Sequence, residues 1–298
     1  MREALYYQVI KPHEDKQTLS DVLQCLLCPR ACILHENQNG YCRGKKATGG
    51  KLYALNYAEA VSLAIDPIEK KPLYHYHPGT QILSLGPNSC NLSCSYCQNW
   101  QISQQECATR EVSIVELASL TRGMKPKQVA FTYSEPLMWY EYIWDFAQYA
   151  PDVDIVLVTN AFINETPWMQ MMQKVKAVNI DLKAYREEFY KEQCGGDLDT
   201  IKRNIRIAYE SGVHVELTNL LIPGLNNSSR EVDEMASFIA SIDERIPLHI
   251  SAYHPQYKLQ IRASLPQEIE AACDIAATHL KHVYAGNCNV PKYSQRKR

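Results

Sequence analysis

Three cysteines in one tight loop constrain this chain more than any other feature. The stretch reads Cys90-Asn91-Leu92-Ser93-Cys94-Ser95-Tyr96-Cys97. A fourth cysteine would complete a closed site. Three leave one corner of a cubane iron–sulfur cluster without a protein ligand, and an open metal corner is where a substrate or cofactor binds. The apolar run Ile82-Leu83-Ser84-Leu85, followed by Gly86, reads as a strand ending in a glycine turn. The cysteines therefore fall just past the carboxyl end of a strand, where α/β folds place their sites. The plainer alternative is a zinc knuckle or a chance cluster of buried thiols.

After the loop, helical and strand-like spacing alternate. Strands are expected at 82–85, 129–133, 154–159, 177–182, 214–222 and 248–252, with a short seventh at 282–285. Helices are expected at 112–120, 136–149, about 160–175, 186–193, 199–211, 229–242 and 266–280. Such alternation argues for a parallel sheet with helical crossovers, and six repeats suit a partial barrel open on one side. Polar residues at the carboxyl ends of such strands face the site. They are Ser134 and Glu135, Asn160, the pair Asp181 and Lys183, Thr218 and Asn219 before a Pro223-Gly224 turn, and His249 with Ser251. Each has a structural alternative. Glu135 suits a helix N-terminus, Asp181 and Lys183 suit a barrel ion pair, and His249 suits a satisfied core position.

The first sixty residues read as a separate small unit. Cys25, Cys28, Cys32 and Cys42 have ligand-like spacing there, and the close Cys25/Cys28 pair is a usual chelating half. Two occupants fit: a structural zinc that folds a segment too small for its own core, or an auxiliary 4Fe–4S cluster. Unligated core thiols are the third reading. The proposed division is 1–75, the cysteine-rich unit with its connector, and 76–298, the barrel. The connector, residues 66–79, reads as extended, with His75 and His77 packed in a linker or lining the cluster mouth.

Composition bounds the rest. With 298 residues, 46% of them hydrophobic, the chain has core enough to need no disulfides, so eleven cysteines favour metal over crosslinks. A net charge of −2 carries no global nucleic-acid footprint, and the basic tail 295–298 reads as a solvated end. No stretch reads as a signal peptide or membrane span, so a cytoplasmic protein with reduced thiols is expected.

The loop resembles the signature of the radical S-adenosylmethionine (SAM) superfamily, three cysteines at this spacing with an aromatic, here Tyr96, before the last. The resemblance implies a (βα)6 barrel, an α/β fold, with the small cysteine-rich unit appended at the N-terminus. It implies that Cys90, Cys94 and Cys97 hold a 4Fe–4S cluster whose fourth iron is chelated by SAM. It also implies reductive cleavage of SAM to methionine and a 5′-deoxyadenosyl radical, which abstracts hydrogen from a substrate. A Gly-Gly-Glu element of the superfamily binds the SAM amino group; Ser134 and Glu135 stand in its place. Asn160, Asp181 and Lys183 are the other SAM-binding candidates, and a flavodoxin or ferredoxin is the expected electron donor.

The ordered string of motifs, from Cys25–Cys42 through the cluster loop, Tyr133-Ser134-Glu135-Pro136 and Asp181-Leu182-Lys183 to His214–Gly224, is similar to the radical SAM member of the AmmeMemoRadiSam system. That family is related to the activating enzymes of pyruvate formate-lyase. The similarity spans about residues 20 to 290. Its members often carry a further Cys-x-x-Cys segment after the last strand, where this chain has Cys288 alone. Three functions follow: radical modification linked to the system's partner proteins, activation of a glycyl-radical enzyme, or a non-catalytic zinc-binding adaptor. Cys194 and His249 are the candidate catalytic side chains. The plainer reading of Cys194 is a cysteine in the tight turn before Gly195-Gly196.

Overall fold

The computed structural model describes residues 1–10 and 21–294; the basic tail lies outside the described residues. The alternation resolves into β1 (Gln81–Pro87), β2 (Gln128–Phe131), β3 (Asp154–Thr159), β4 (Ala177–Asp181), β5 (His214–Leu221), β6 (Leu248–Ala252) and β7 (Val283–Gly286). Each strand pairs in parallel with its successor in sequence. Helices α1 (Ile114–Arg122), α2 (Tyr140–Tyr149), α3 (Glu165–Met172), α4 (Leu198–Glu210), α5 (Ser229–Asp243) and α6 (Pro266–Ala276) provide the crossovers. This is the partial (βα)6 barrel, with β7 added.

Parallel strands covered on both faces must be apolar on both. β2 and β6 are buried along their whole length. Alternation divides the work. Leu83, Leu85, Val129, Phe131, Ile155 and Leu157 join the large core shared with the helices, whereas Ile82, Ala130, Val156 and Ala177 form a second cluster with Ile68 and Leu73. Helix starts are capped as their sequences suggest. Ser113, Asp197 and Ser228 accept from the backbone N–H three residues on.

Several expected elements differ. The run 136–149 opens as a 3-10 turn, Pro136–Trp139, before α2. α3 stops at Met172 and α6 at Ala276, each short of expectation. Residues 186–193 are a short helix, Glu187–Phe189, running into a π-turn, Tyr190–Cys194. The connector is not simply extended. Glu59–Pro67 is a nine-residue strand antiparallel to β1, and Ile68–Lys70 is a 3-10 turn. In that strand the larger Val61, Leu63 and Ile65 alternate with the smaller Ala60, Ser62 and Ala64, a period of two that fits a strand. The sheet stays open: it runs from β7 at one edge to the short strand Arg110–Glu111 at the other.

Residues 71–77 then plug the amino-terminal end of the barrel. The Glu216 carboxylate, on β5, accepts from Tyr74 N at 3.0 Å and His75 N at 2.7 Å. It also pairs with His214 at 2.9 Å and His249 at 2.7 Å. Asn179 donates to Pro72 O at 2.8 Å, and Thr218 donates to Asn179 at 2.9 Å. His75 and His77 pack here, the first on Tyr284 and the second on Gln128. Of the two connector readings, the packed linker is the one observed.

The N-terminal residues form two three-stranded antiparallel sheets. One joins Tyr7–Ile10, Val22–Cys25 and Ile33–Leu34; the other joins Arg2–Glu3, Lys51–Ala54 and Lys45–Thr48. Leu23, Leu27, Leu34 and Leu52 belong to the same core as the barrel, not to a separate one.

Candidate active site at the carboxyl-terminal mouth

Close approach of two strand ends builds the mouth. A Cβ on Gly86 would lie 2.0 Å from Thr132 O, so only glycine lets β1 and the end of β2 meet here. Tyr133 follows at φ 72°, a left-handed conformation that a glycine would adopt freely. Its hydroxyl donates to Asp66 at 2.8 Å, and Lys71 stands over its ring at 4.5 Å. Tyr133 thus holds a left-handed backbone against the Asp66–Lys71 ion pair.

The cysteine loop is gripped from three sides. Ser93 N donates to Cys194 O at 2.9 Å and Ser95 N to Gln193 O at 2.8 Å, so the π-turn lies along the loop like a strand. Lys258 N and Leu259 N both donate to Ser95 O. Arg30 donates to Asn91 O at 2.8 Å and to Gly195 O at 2.6 Å. Gly195 sits at φ 68°, which turns the chain back after Cys194.

Around the thiols the polar residues are ordered. Asn160 points its amide N–H at Cys90 Sγ, at 3.9 Å, and at Asn91 Oδ1, at 3.1 Å. Cys97 Sγ lies 3.2 Å from Ser103 Oγ. Tyr96 OH lies 3.2 Å from Cys194 Sγ, and Cys94 and Cys194 stand close enough to shift each other's ionisation. Lys183 donates to Asp181 at 2.9 Å, and its own N–H is bonded to Tyr190 OH at 3.0 Å. Burial works against the Lys183 ammonium, but Asp181, Cys94 and Cys194 hold its pKa well above the usual lysine value. Burial pushes the Cys90 thiol well up, and the neighbouring Glu135, Cys94 and Cys97 add to it. Thiols so placed ionise when a cation compensates them. Three soft donors on one loop, a buried ammonium beside them and an amide N–H aimed at one sulfur fit an iron–sulfur cluster.

Glu135 stands at the start of the 3-10 turn Pro136–Trp139, the helix-start position that its sequence also suits. Its carboxylate accepts from Thr159 Oγ1 at 2.7 Å, Asn160 N at 2.8 Å and Leu137 N at 3.1 Å, and it is fully buried. Burial raises its pKa to about 7, because these neutral donors only partly offset the lost water. It ties the end of β2 to the end of β3. Ser134 donates to Pro87 O at 2.5 Å and ties β2 to β1. Asp181, with a side chain 34% exposed, is the more open carboxylate. His249 is not at this mouth. It is the second residue of β6 and is bound to Glu216 in the plug.

Cys194, by contrast, joins the cysteine loop directly. Sequence reasoning passed over Arg30, Asn91 and Gln193, because their partners lie far along the chain, and Ser103, although Cys97 is only six residues from it. The Cys194-Gly195-Gly196 break was the one local sign of this contact.

In the N-terminal unit, Cys25, Cys28, Cys32 and Cys42 line one cavity with Arg30, Lys45, Asn91 and Met138. Burial raises Cys25 and Cys28 to about 12. All eleven cysteines are free thiols. Among the described residues, no three Cys, His, Asp or Glu side chains close into a single-ion cage, and no helix is long and apolar enough to cross a membrane.

Residues 86–239 match the Radical SAM superfamily. The chain is also 36% identical to the uncharacterized protein MJ0808 of Methanocaldococcus jannaschii, over 96% of this chain and 85% of that one. The chain belongs to the radical SAM superfamily. A probable GTP 3′,8-cyclase of Methanosarcina mazei is 27% identical over 65% of this chain, which spans 62% of that protein. Among solved structures, a radical SAM methyltransferase from Sphaerobacter thermophilus has a TM-score of 0.56 at 12% identity, covering 94% of this chain and 76% of that one. Streptococcus suis SuiB bound to S-adenosylmethionine has a TM-score of 0.54 at 13% identity, covering 70% and 51%. These likenesses support the fold. As a radical SAM protein the chain is of an iron–sulfur, SAM-binding kind.

Proposed function

We propose that this radical SAM protein uses Cys90, Cys94 and Cys97 to hold a 4Fe–4S cluster at the barrel mouth, and that it abstracts hydrogen from a substrate admitted there. When bound, the cluster supplies one electron to SAM, which yields methionine and a 5′-deoxyadenosyl radical. The supporting observation is the meeting of the three-thiol loop, the Asp181–Lys183 pair and Asn160 at the carboxyl ends of the strands. Lys183 supplies the counter-charge to the thiolates and steadies Asp181, and the pair would hold the ribose hydroxyls and carboxylate of SAM. Asn160 donates to Cys90 and sets its orientation. Tyr96 anchors the loop on Cys194. Ser134 and Glu135 act as positioning residues that fix the strand ends beneath SAM. Cys194 and the cluster loop share a wall, so the thiol also serves to orient Cys94.

The finer reading is radical modification of a protein or system partner, with a flavodoxin or ferredoxin as electron donor in a reducing cytoplasm. Activation of a glycyl-radical enzyme is the second reading, and only it leaves a stable radical on a partner protein. The test is electron paramagnetic resonance on anaerobically reconstituted, reduced protein, with and without SAM, alongside 5′-deoxyadenosine formation. A cluster signal that changes on adding SAM is expected. Zinc in both cysteine groups with no SAM cleavage would instead support the adaptor.

A further inference from the structure

The four N-terminal thiols have a purpose that the barrel chemistry leaves unassigned. Cys25 ends its strand, and Cys28 and Cys32 follow in a turn closed by Cys25 N to Cys32 O at 2.9 Å and Ala31 N to Cys28 O at 3.1 Å. Cys42 comes from the loop before Lys45–Thr48. The cavity they line has room for the centre of one water-sized group, about 10 Å³. That space suits a single ion better than a polynuclear cluster, and the four thiols line it without yet closing on one point.

Four thiolates on one divalent ion carry a net charge of about −2. Arg30 and Lys45 line the same cavity. Lys45 is fully buried and is also bound to Glu141 and to Met138 O. Soft tetrahedral sulfur donors select zinc or iron, and zinc suits a closed site with no open corner.

The second observation is where this unit reaches. Arg30, between Cys28 and Cys32, bonds Asn91 O and Gly195 O, with its guanidinium 3.7 Å over Tyr41. Arg43, directly after Cys42, donates to Ser103 O at 3.0 Å, and the Ser103 hydroxyl touches Cys97. Ser89 donates to Cys42 O at 2.7 Å. The Cys28–Cys32 turn therefore holds the 90–97 loop directly at Asn91, and the Cys42 loop holds the residues on either side of it, Ser89 and Ser103.

We propose that Cys25, Cys28, Cys32 and Cys42 bind one zinc ion, and that this ion clamps the radical loop through Arg30 and Arg43. Closing the thiols to about 2.3 Å from the metal draws in the two loops that carry these arginines. The ion fixes a segment whose strands are two to four residues long and whose apolar residues belong to the barrel core. The clamp half of the proposal rests on reading 90–97 as the cluster loop; the zinc half does not.

The experiment is metal analysis of anaerobically purified full chain, with paramagnetic resonance of its reduced form. About one zinc per chain beside the iron of one cluster is expected. Cobalt(II) exchanged into the wild-type chain should give the visible absorption of tetrahedral thiolate ligation, a readout that needs no variant to fold. Cys28→Ser should lose the zinc. Arg30→Ala should keep the zinc yet lose cluster occupancy by roughly 10- to 100-fold, as loss of supporting contacts does at metal sites, and Arg30→Lys should restore part of it. Iron for two clusters without zinc overturns the zinc assignment. Zinc present, with cluster loading and spectrum unchanged in Arg30→Ala, overturns the clamp. Zinc at the four-cysteine site of a wild-type chain that takes up no cluster would sink the radical reading and the clamp together, leaving the zinc assignment standing.

Discussion

Glu135 and Glu216 are both fully buried, one at the barrel mouth and one in the plug at the other end. Glu135 meets a hydroxyl and two backbone N–H groups but no cation. Glu216 meets two backbone N–H groups and two imidazoles. Burial raises Glu135 to about 7, whereas for Glu216 the imidazole bonds outweigh burial and lower it to about 2. The difference separates two uses of polar burial. The plug is satisfied within the chain and closes one end. The mouth gathers thiols, a lysine and an electrically unmatched carboxylate, an arrangement suited to a charged cofactor rather than to stability alone.

The comparison can be broken in order of effect. Cys94→Ala should reduce 5′-deoxyadenosine formation to background while the unloaded chain still folds; persistent SAM cleavage would remove the loop from the chemistry. Glu216→Ala should do the reverse. Buried His249 and part-exposed His214 lose their partner, at a cost of about 3–5 kcal/mol in urea unfolding, while cluster content in the folded fraction is kept. If cluster loading fell and stability did not, the plug would not be structural.

The two glutamates also predict opposite pH responses. The folded-state pKa of Glu135 is raised from 4.5, so its contribution is complete below about pH 4.5 and is lost as pH rises through about 7. The loss is roughly 3 kcal/mol. Glu216 is lowered from 4.5, so its contribution is present above about pH 4.5 and is lost as pH falls through about 2. Urea unfolding of the metal-free chain from pH 5 to 8 should therefore weaken with pH, and Glu135→Gln should flatten that decline. An unchanged slope in the variant would show Glu135 to be better compensated than its neighbours suggest.

Smaller effects sharpen the mouth itself. Lys183→Met should cut SAM cleavage roughly 10- to 100-fold by removing the buried counter-charge, with little change in urea midpoint. Tyr96→Phe removes one hydroxyl contact with Cys194. It should cost about 1 kcal/mol and leave the cluster signal intact; loss of that signal would make the contact essential to ligation.

The strand alternation, the spacing of the thiols and the polar residues after each strand were legible in the sequence, because period and spacing are local properties. Strands 154–159 and 248–252 match the structure residue for residue. Helix ends were less legible, since capping and packing stop a helix before its apolar pattern stops. The strand Glu59–Pro67 was passed over although Val61, Leu63 and Ile65 alternate in it; Ile65 on that face is exposed, and pairing with β1 defines the strand.

The sequence by itself determined a radical SAM barrel and the spacing of three thiols in one loop. Only the tertiary structure decided which polar residues serve the mouth. Asp181 and Lys183 pair beside the thiols, while His249, thirty-three residues from Glu216 in sequence, was drawn into the plug. Arg30 reaches across the fold to Asn91 and Gly195. A strand's period says which face a side chain takes. It does not say how far along the barrel a neighbouring strand is staggered, and that stagger sets which buried charges can meet.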